Sequence, residues 1–323
     1  MDLNYLIDLS FRLGSRIHRL HTYIAPLLER KVFIKRDDEL GSGICGSKYR
    51  KFASLIPFLK NGNFDEVIAI GGSNSANIAC LLQICTENKI PLKLFLLKSH
   101  TARPKGNELW INLLKDKSEV VQISREDWPN VNQLAEEYAS SQTGKNFFII
   151  SEGCAIKEVL PGAMTLGTEI LDHESASSIF FNHIFIDSGT GTTAAGLLLG
   201  LSVKDLGARS VHITLIAGTE EEFERQLLRF SNELDVNVSG KIRRIFHKPA
   251  IARSFGAINS QVLEETAKIA RLEGILMDPV YSVKHLYTAK QVIEGNNLTG
   301  NILFIYSGSA LGLAGFQEEL ADL

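Results

Sequence analysis

The stretch CGSKYRK, residues 45–51, sets Lys48 two residues after a glycine and just ahead of the apolar run FASLIPFL. A lysine in the first turn of a helix sits at the positive end of the helix dipole. That disfavours the ammonium and lowers its pKa. Such a place suits a lysine that must react as a neutral amine, as in imine formation with a carbonyl. Taken alone, a lysine is far more often a solvated surface charge. Only a combination with other groups can reverse that reading.

Three further stretches supply candidates. DSGTGTTAAG, residues 187–196, follows an apolar strand-like run and leads into GLLLGL. The backbone N–H groups of Gly189, Thr190, Gly191, Thr192 and Thr193 would converge at a helix start, where a phosphate is the natural occupant. The same stretch fits G-x-G-x-x-A, so a dinucleotide site competes. The acid expected ~20 residues further on in such a site is missing. GGSNSANIAC, residues 71–80, again ends a strand in glycine and opens a helix near Ser75. The N–H groups of Ser75, Ala76 and Asn77 would suit a carboxylate, while Ser73 or Asn74 as a plain N-cap is the bland alternative. MDPVYSVKHL, residues 277–286, places Tyr281 and Ser282 at a helix start after Pro279. There the alternative is a capping serine and a packed tyrosine.

The elements that must position these groups read as alternating strands and helices. Residues 32–37, 66–72, 92–97, 119–124, 146–151, 183–189, 210–218 and 301–308 form short β-branched or apolar runs. Helical periodicity marks 75–89, 131–142, 220–234 and 258–274. The alternation implies an α/β fold with parallel sheets and crossover helices, and ligands bind at the carboxyl ends of such strands. A chain of 323 residues with 45% hydrophobic and 22% charged residues is ordinary globular material. A net charge of −3 with mixed signs gives no footprint for nucleic acid or a membrane surface. The amino-terminal residues carry acids and no long apolar core, so no secretory signal is expected. The four cysteines, Cys45, Cys80, Cys85 and Cys154, form no C-x-x-C pair and are expected as free thiols in a reducing cytosol.

As a set and in this order, KRDD…GSKYRK, IGGSNSAN, SGTGTTAAG and DPVYS resemble the 1-aminocyclopropane-1-carboxylate (ACC) deaminase / D-cysteine desulfhydrase family of pyridoxal-phosphate enzymes. The resemblance implies the tryptophan-synthase-β type of fold: two open, mostly parallel twisted sheets with flanking helices. It implies a smaller domain at 52–156 carrying the substrate-carboxylate loop, and a larger cofactor-binding domain from 1–51 and 157–323. By the same resemblance Lys48 is the Schiff-base lysine, and Gly189 to Thr193 hold the cofactor phosphate. Ser75 is the hydroxyl beside the substrate, Tyr281 the active-site tyrosine, and Ser282 the partner of the pyridine nitrogen. A cytoplasmic homodimer acting on a small amino acid, with no metal, completes the implied picture.

Departures from the family pattern bear on the substrate. Ala76 stands where the family has the asparagine that meets the phenolic oxygen, so Asn77 or Asn74 must stand in, or the contact is missing. Ser47 replaces another asparagine. ACC deaminases carry a glutamate at the place of Ser282 and a tyrosine at the place of Phe255. A neutral hydroxyl at the ring nitrogen is expected to give a shallower electron sink, which suffices for β-elimination. D-Cysteine, giving keto acid, ammonia and sulfide, is therefore the expected substrate, with ACC as the alternative. An NAD(P)-dependent oxidoreductase using residues 189–194, and a catalytically weak pyridoxal-phosphate-binding protein, remain as readings from other classes.

Overall fold

A computed structural model describes residues 6–25, 28–43, 45–99, 103–116, 119–204 and 207–323. The smaller of two sheets contains β3 (Glu66–Gly72), β4 (Leu92–Leu97), β5 (Val120–Ile123) and β6 (Phe147–Ile150), in the order β5-β4-β3-β6 and all parallel. The larger has six strands in the order β1-β2-β10-β7-β8-β9. These are β1 (Ile17–Arg19), β2 (Arg30–Arg36), β7 (His183–Ser188), β8 (Arg209–Leu215), β9 (Ile242–His247) and β10 (Gly300–Tyr306). Among the described residues only β1 runs antiparallel to its neighbour.

The helices are α1 (Lys48–Asn61), α2 (Ala76–Glu87), α3 (Asn107–Leu114), α4 (Val131–Ser141), α5 (Leu160–Ser177), α6 (Thr192–Leu201), α7 (Glu220–Leu234), α8 (Ser260–Glu273), α9 (Ser282–Gly295) and α10 (Gln317–Ala321). Strands flanked by helices on both faces bury both sides, which is why EVIAIGG and LKLFLL are nearly continuous apolar runs. β1 and β9 were not expected from the sequence, and both are edge strands. In β9, IRRIFH, only Ile242 is fully buried, so no apolar run marks it.

The cysteine expectation needs correction. Cys45 and Cys80, 35 residues apart, are disulfide-bonded with their Cα atoms 5.0 Å apart, while Cys85 and Cys154 are free and buried. All four lie in one core beneath α1 and α2. The pairing comes from tertiary packing of the lead-in to α1 against α2, so sequence spacing carried no signal of it. Among the described residues, no helix is long and apolar enough to cross a membrane.

Three histidines form a row across neighbouring strands of the larger sheet. His183 Nδ1 lies 3.1 Å from His212 Nε2, and His212 Nδ1 lies 3.0 Å from His247 Nε2. Phe185 stacks on His212 at 4.2 Å. Burial holds all three below the usual imidazole range, and His212, next to His247, His183, Arg243 and His285, is pushed down to about 3. Neutral in the folded chain, these rings take up protons more readily when unfolded. Stability is therefore full above the ordinary histidine pKa of about 6.5 and falls as pH drops toward the folded value. His212 alone should cost about 2 kcal/mol between pH 6.5 and 5. Urea unfolding at the two pH values checks this, and equal stabilities would contradict it.

Candidate active site

Lys48 opens α1 at the carboxyl ends of the larger sheet's strands, and its position is fixed from behind. Gly46, at φ +58°, makes the approach possible, since a Cβ there would lie 2.0 Å from the Gly308 carbonyl oxygen. The Ser47 N–H donates to the Ser307 carbonyl at 2.9 Å. The Ser47 hydroxyl donates to Asp37 Oδ2 at 2.8 Å. Asp37 is fully buried and is gripped by Arg50, whose Nε and Nη2 each donate to it at 2.7 Å. Arg50 Nη2 also reaches Glu169 at 2.6 Å, and Lys35 reaches Glu169 at 2.9 Å. The charges on Arg50 and Lys35 hold the Asp37 carboxyl well below the usual range despite its burial. Burial lowers the Lys48 pKa, opposed by the carboxylates of Asp187 and Asp278.

The turn at 189–193 runs from the end of β7 into α6, with Gly191 as N-cap at φ +84°. The first N–H groups of α6 have no partner within the helix and so are available to an anion. Thr190 is exposed and Thr192 is buried, its hydroxyl accepting from Gln226 Nε2 at 3.4 Å. The Tyr281 ring lies against this turn, since a Cβ on Gly189 would meet it at 3.1 Å. Burial raises the Tyr281 phenol, and the neighbouring carboxylates Asp187, Asp278 and Glu152 raise it further. Phe255, 61% exposed, packs edge-on to Tyr281 with ring centres 5.8 Å apart.

Ser75 is the N-cap of α2, its hydroxyl oxygen accepting from the Ile78 N–H at 3.3 Å. Its own O–H remains to be donated. Both asparagines offered as substitutes for the one missing at Ala76 have their side-chain oxygens engaged. Asn74 Oδ1 accepts from the Glu108 N–H at 3.2 Å. Asn77 Oδ1 accepts from Lys51 Nζ at 2.7 Å, and Asn77 Nδ2 donates to Cys154 Sγ at 3.1 Å. The Lys51 amine also donates to the Gly153 carbonyl at 3.1 Å. Gly153 abuts Thr190, so Lys51 sits beside the 189–193 turn and can add a positive charge there. Burial pushes the Lys51 pKa down to about 8.

Two buried carboxylates complete the cluster. Asp187, at the end of β7, accepts a hydrogen bond from the Ser307 hydroxyl. Asp278 accepts from the Tyr281 N–H at 2.8 Å, the Ser282 N–H at 3.3 Å and the Ser282 hydroxyl. Burial pushes both carboxyls up, while these donors and Lys48 pull them down.

The structure thus links Lys48, the 189–193 turn, Tyr281, Ser282 and Phe255 in one cluster through Asp187, Asp278 and the Tyr281 ring. It joins α2, with Ser75 and Asn77, to them through Lys51. The sequence reading passed over Lys51, Asp187 and Asp278. Lys51 follows Lys48 by one helical turn, and both aspartates lie inside motifs already singled out, so the signal was present. A half-buried amine of lowered pKa, a helix amino terminus for a phosphate and a buried hydroxyl for a ring nitrogen fit pyridoxal phosphate.

Comparison with known proteins agrees. A Pyrococcus abyssi protein carrying the provisional name 1-aminocyclopropane-1-carboxylate deaminase is 29% identical over 90% of this chain and 88% of its own. The Arabidopsis thaliana mitochondrial bifunctional D-cysteine desulfhydrase/1-aminocyclopropane-1-carboxylate deaminase is 27% identical over 97% of this chain and 81% of its own. A solved structure described as an ACC deaminase homologue matches the fold with a TM-score of 0.80 at 24% identity, covering 98% of this chain and 95% of that one. The sequence profile of the family described as "Pyridoxal-phosphate dependent enzyme" matches residues 15–308, and the chain belongs to that family.

Proposed function

We propose that the chain is a lyase or deaminase of a small amino acid, with D-cysteine as the preferred substrate and keto acid, ammonia and sulfide as products. The observation that carries the reading is Lys48, an amine of lowered pKa at the start of α1, backed by two buried carboxylates. Bound there, pyridoxal phosphate supplies an electron sink that makes the substrate's α-proton acidic. Lys48 takes that proton, helped by a pKa already brought toward neutrality. The amino terminus of α2, with the Ser75 hydroxyl, binds the substrate carboxylate. Tyr281, held protonated by burial, orients the substrate from the opposite side.

D-Cysteine is favoured over ACC because Phe255, at the cleft mouth against Tyr281, offers no hydroxyl to a ring carbon. The ACC reading keeps support from the Arabidopsis relative, whose name combines both activities. Family membership sets the dinucleotide alternative aside. We also take residues 52–156 as a smaller lobe that closes on the cleft and excludes water, in a cytoplasmic homodimer. The smaller sheet's strands fall within that range.

A panel of D- and L-cysteine and ACC, assayed for sulfide and keto acid, tests the substrate. Sulfide release from D-cysteine should exceed ammonia release from ACC by at least ~10²-fold, the low end of what a positioned acid or base contributes. Efficient ACC opening with no sulfide from D-cysteine overturns the reading. A sample that binds the cofactor but turns over nothing points to a binding protein instead.

A further inference from the structure

Ser282 was read from the sequence as a lone neutral hydroxyl, but it has a partner. It begins α9 at 1% exposure, and its hydroxyl donates to Asp278 Oδ2. A serine hydroxyl has a single hydrogen. With that hydrogen committed to a carboxylate, only oxygen lone pairs remain to face a ligand. A ring nitrogen meeting lone pairs must itself carry the proton.

We propose that Asp278 orients the Ser282 hydroxyl as an acceptor, so that the cofactor's ring nitrogen is held protonated against it. Asp278 is a positioning residue acting through Ser282. The proposal rests on the assignment of Ser282 to the ring nitrogen made above, and it deepens the electron sink that a lone hydroxyl would leave shallow.

The direction of the Asp278–Ser282 bond is set by the rest of the turn. Asp278 Oδ1 accepts from the Tyr281 N–H at 2.8 Å, and Oδ2 accepts from the Ser282 N–H at 3.3 Å. Both backbone donors point at the carboxylate, so acceptor is its matched role. The carboxylate also sits at the amino terminus of a 14-residue helix, where the dipole favours negative charge. Gly308 lies directly on the pair. A Cβ there would stand 2.3 Å from Asp278 Oδ2 and 2.5 Å from Ser282 Oγ. With glycine at 308, that position adds no side chain against the hydroxyl. Asp187 adds a second buried carboxylate to the same cluster, held by the Ser307 hydroxyl. Two carboxylates in a desolvated site favour a cation on the ring.

Asp278→Asn tests the direction without changing size. The asparagine Oδ1 keeps the Tyr281 N–H. Its Nδ2 gives up the long Ser282 N–H bond and donates to the Ser282 hydroxyl oxygen, which frees the serine hydrogen for an unprotonated ring nitrogen. The measurement is the nitrogen-15 NMR shift of ring-labelled pyridoxal phosphate in the holoenzyme near neutral pH. The wild type is expected in the pyridinium range, with a directly bonded proton, and Asp278→Asn in the neutral pyridine range. Exchange of the substrate α-proton should slow by about 10²-fold in the variant. A neutral pyridine shift in the wild type overturns the proposal whatever the variant does. So does a pyridinium shift unchanged in Asp278→Asn. Borohydride mapping of the same sample separates these outcomes from failure of the underlying reading, which shows as no label on Lys48 and no ring signal.

Discussion

Lys48→Ala is expected to lose turnover by at least ~10³-fold while the protein keeps part of its affinity for the cofactor. The turn at 189–193 and the Lys51 amine beside it remain in the variant, so the groups proposed to hold the phosphate stay in place. Borohydride reduction of the wild type followed by peptide mapping should place the pyridoxyl mass on Lys48. The natural competitor is Lys51, one turn further along α1, buried and with a pKa pushed down to about 8. Its amine is already held by Asn77 and Gly153. Label on Lys51, or near-normal turnover in Lys48→Ala, would remove Lys48 from the reaction.

Arg50→Met should cost about 3–5 kcal/mol of stability, the usual penalty for leaving a buried charge without its partner. Arg50 is the main cation on Asp37, which has no exposure to solvent, and Lys35 stands off at 3.9 Å. The methionine fills similar space, so the loss reports charge and hydrogen bonding rather than a cavity. Adding Asp37→Asn should recover part of it, because the uncompensated charge is then gone. Chemical denaturation of the single and double variants decides. A loss under ~1 kcal/mol would show that the network does not hold the fold. Because Asp37 also fixes the Ser47 hydroxyl, weaker cofactor retention should accompany the instability.

What the sequence showed, and what it hid, follows the same physics. β3 and β4 were expected at 66–72 and 92–97 and lie there, because strands buried on both faces must be apolar throughout. β1 and β9 border solvent and carry arginines and histidines, so no pattern marked them. α5 was hidden for a different reason. Its Gly162 and Gly167 weaken the helical signal. They are there because a Cβ would strike the Arg50 carbonyl oxygen at 2.0 Å and the Leu201 nitrogen at 2.4 Å. In the candidate site, Lys48 and the 189–193 turn were legible as local motifs. The Lys51–Asn77–Cys154 chain was not, since its members meet only after α1, α2 and the 152–154 turn pack together. Asp278 was visible in DPVYS, but the direction of its hydrogen bonds is a property of the folded turn.

The bond between Cys45 and Cys80 makes a covalent ring of the chain between them. Lys48, α1, β3 and Ser75 are all members of that ring. Lys48 and the amino terminus of α2 thus belong to one cyclic segment, pinned at a point three residues before the lysine. A pinned ring can twist, but it cannot come apart at the pin. That closure limits how far the Ser75 turn and Lys48 can separate.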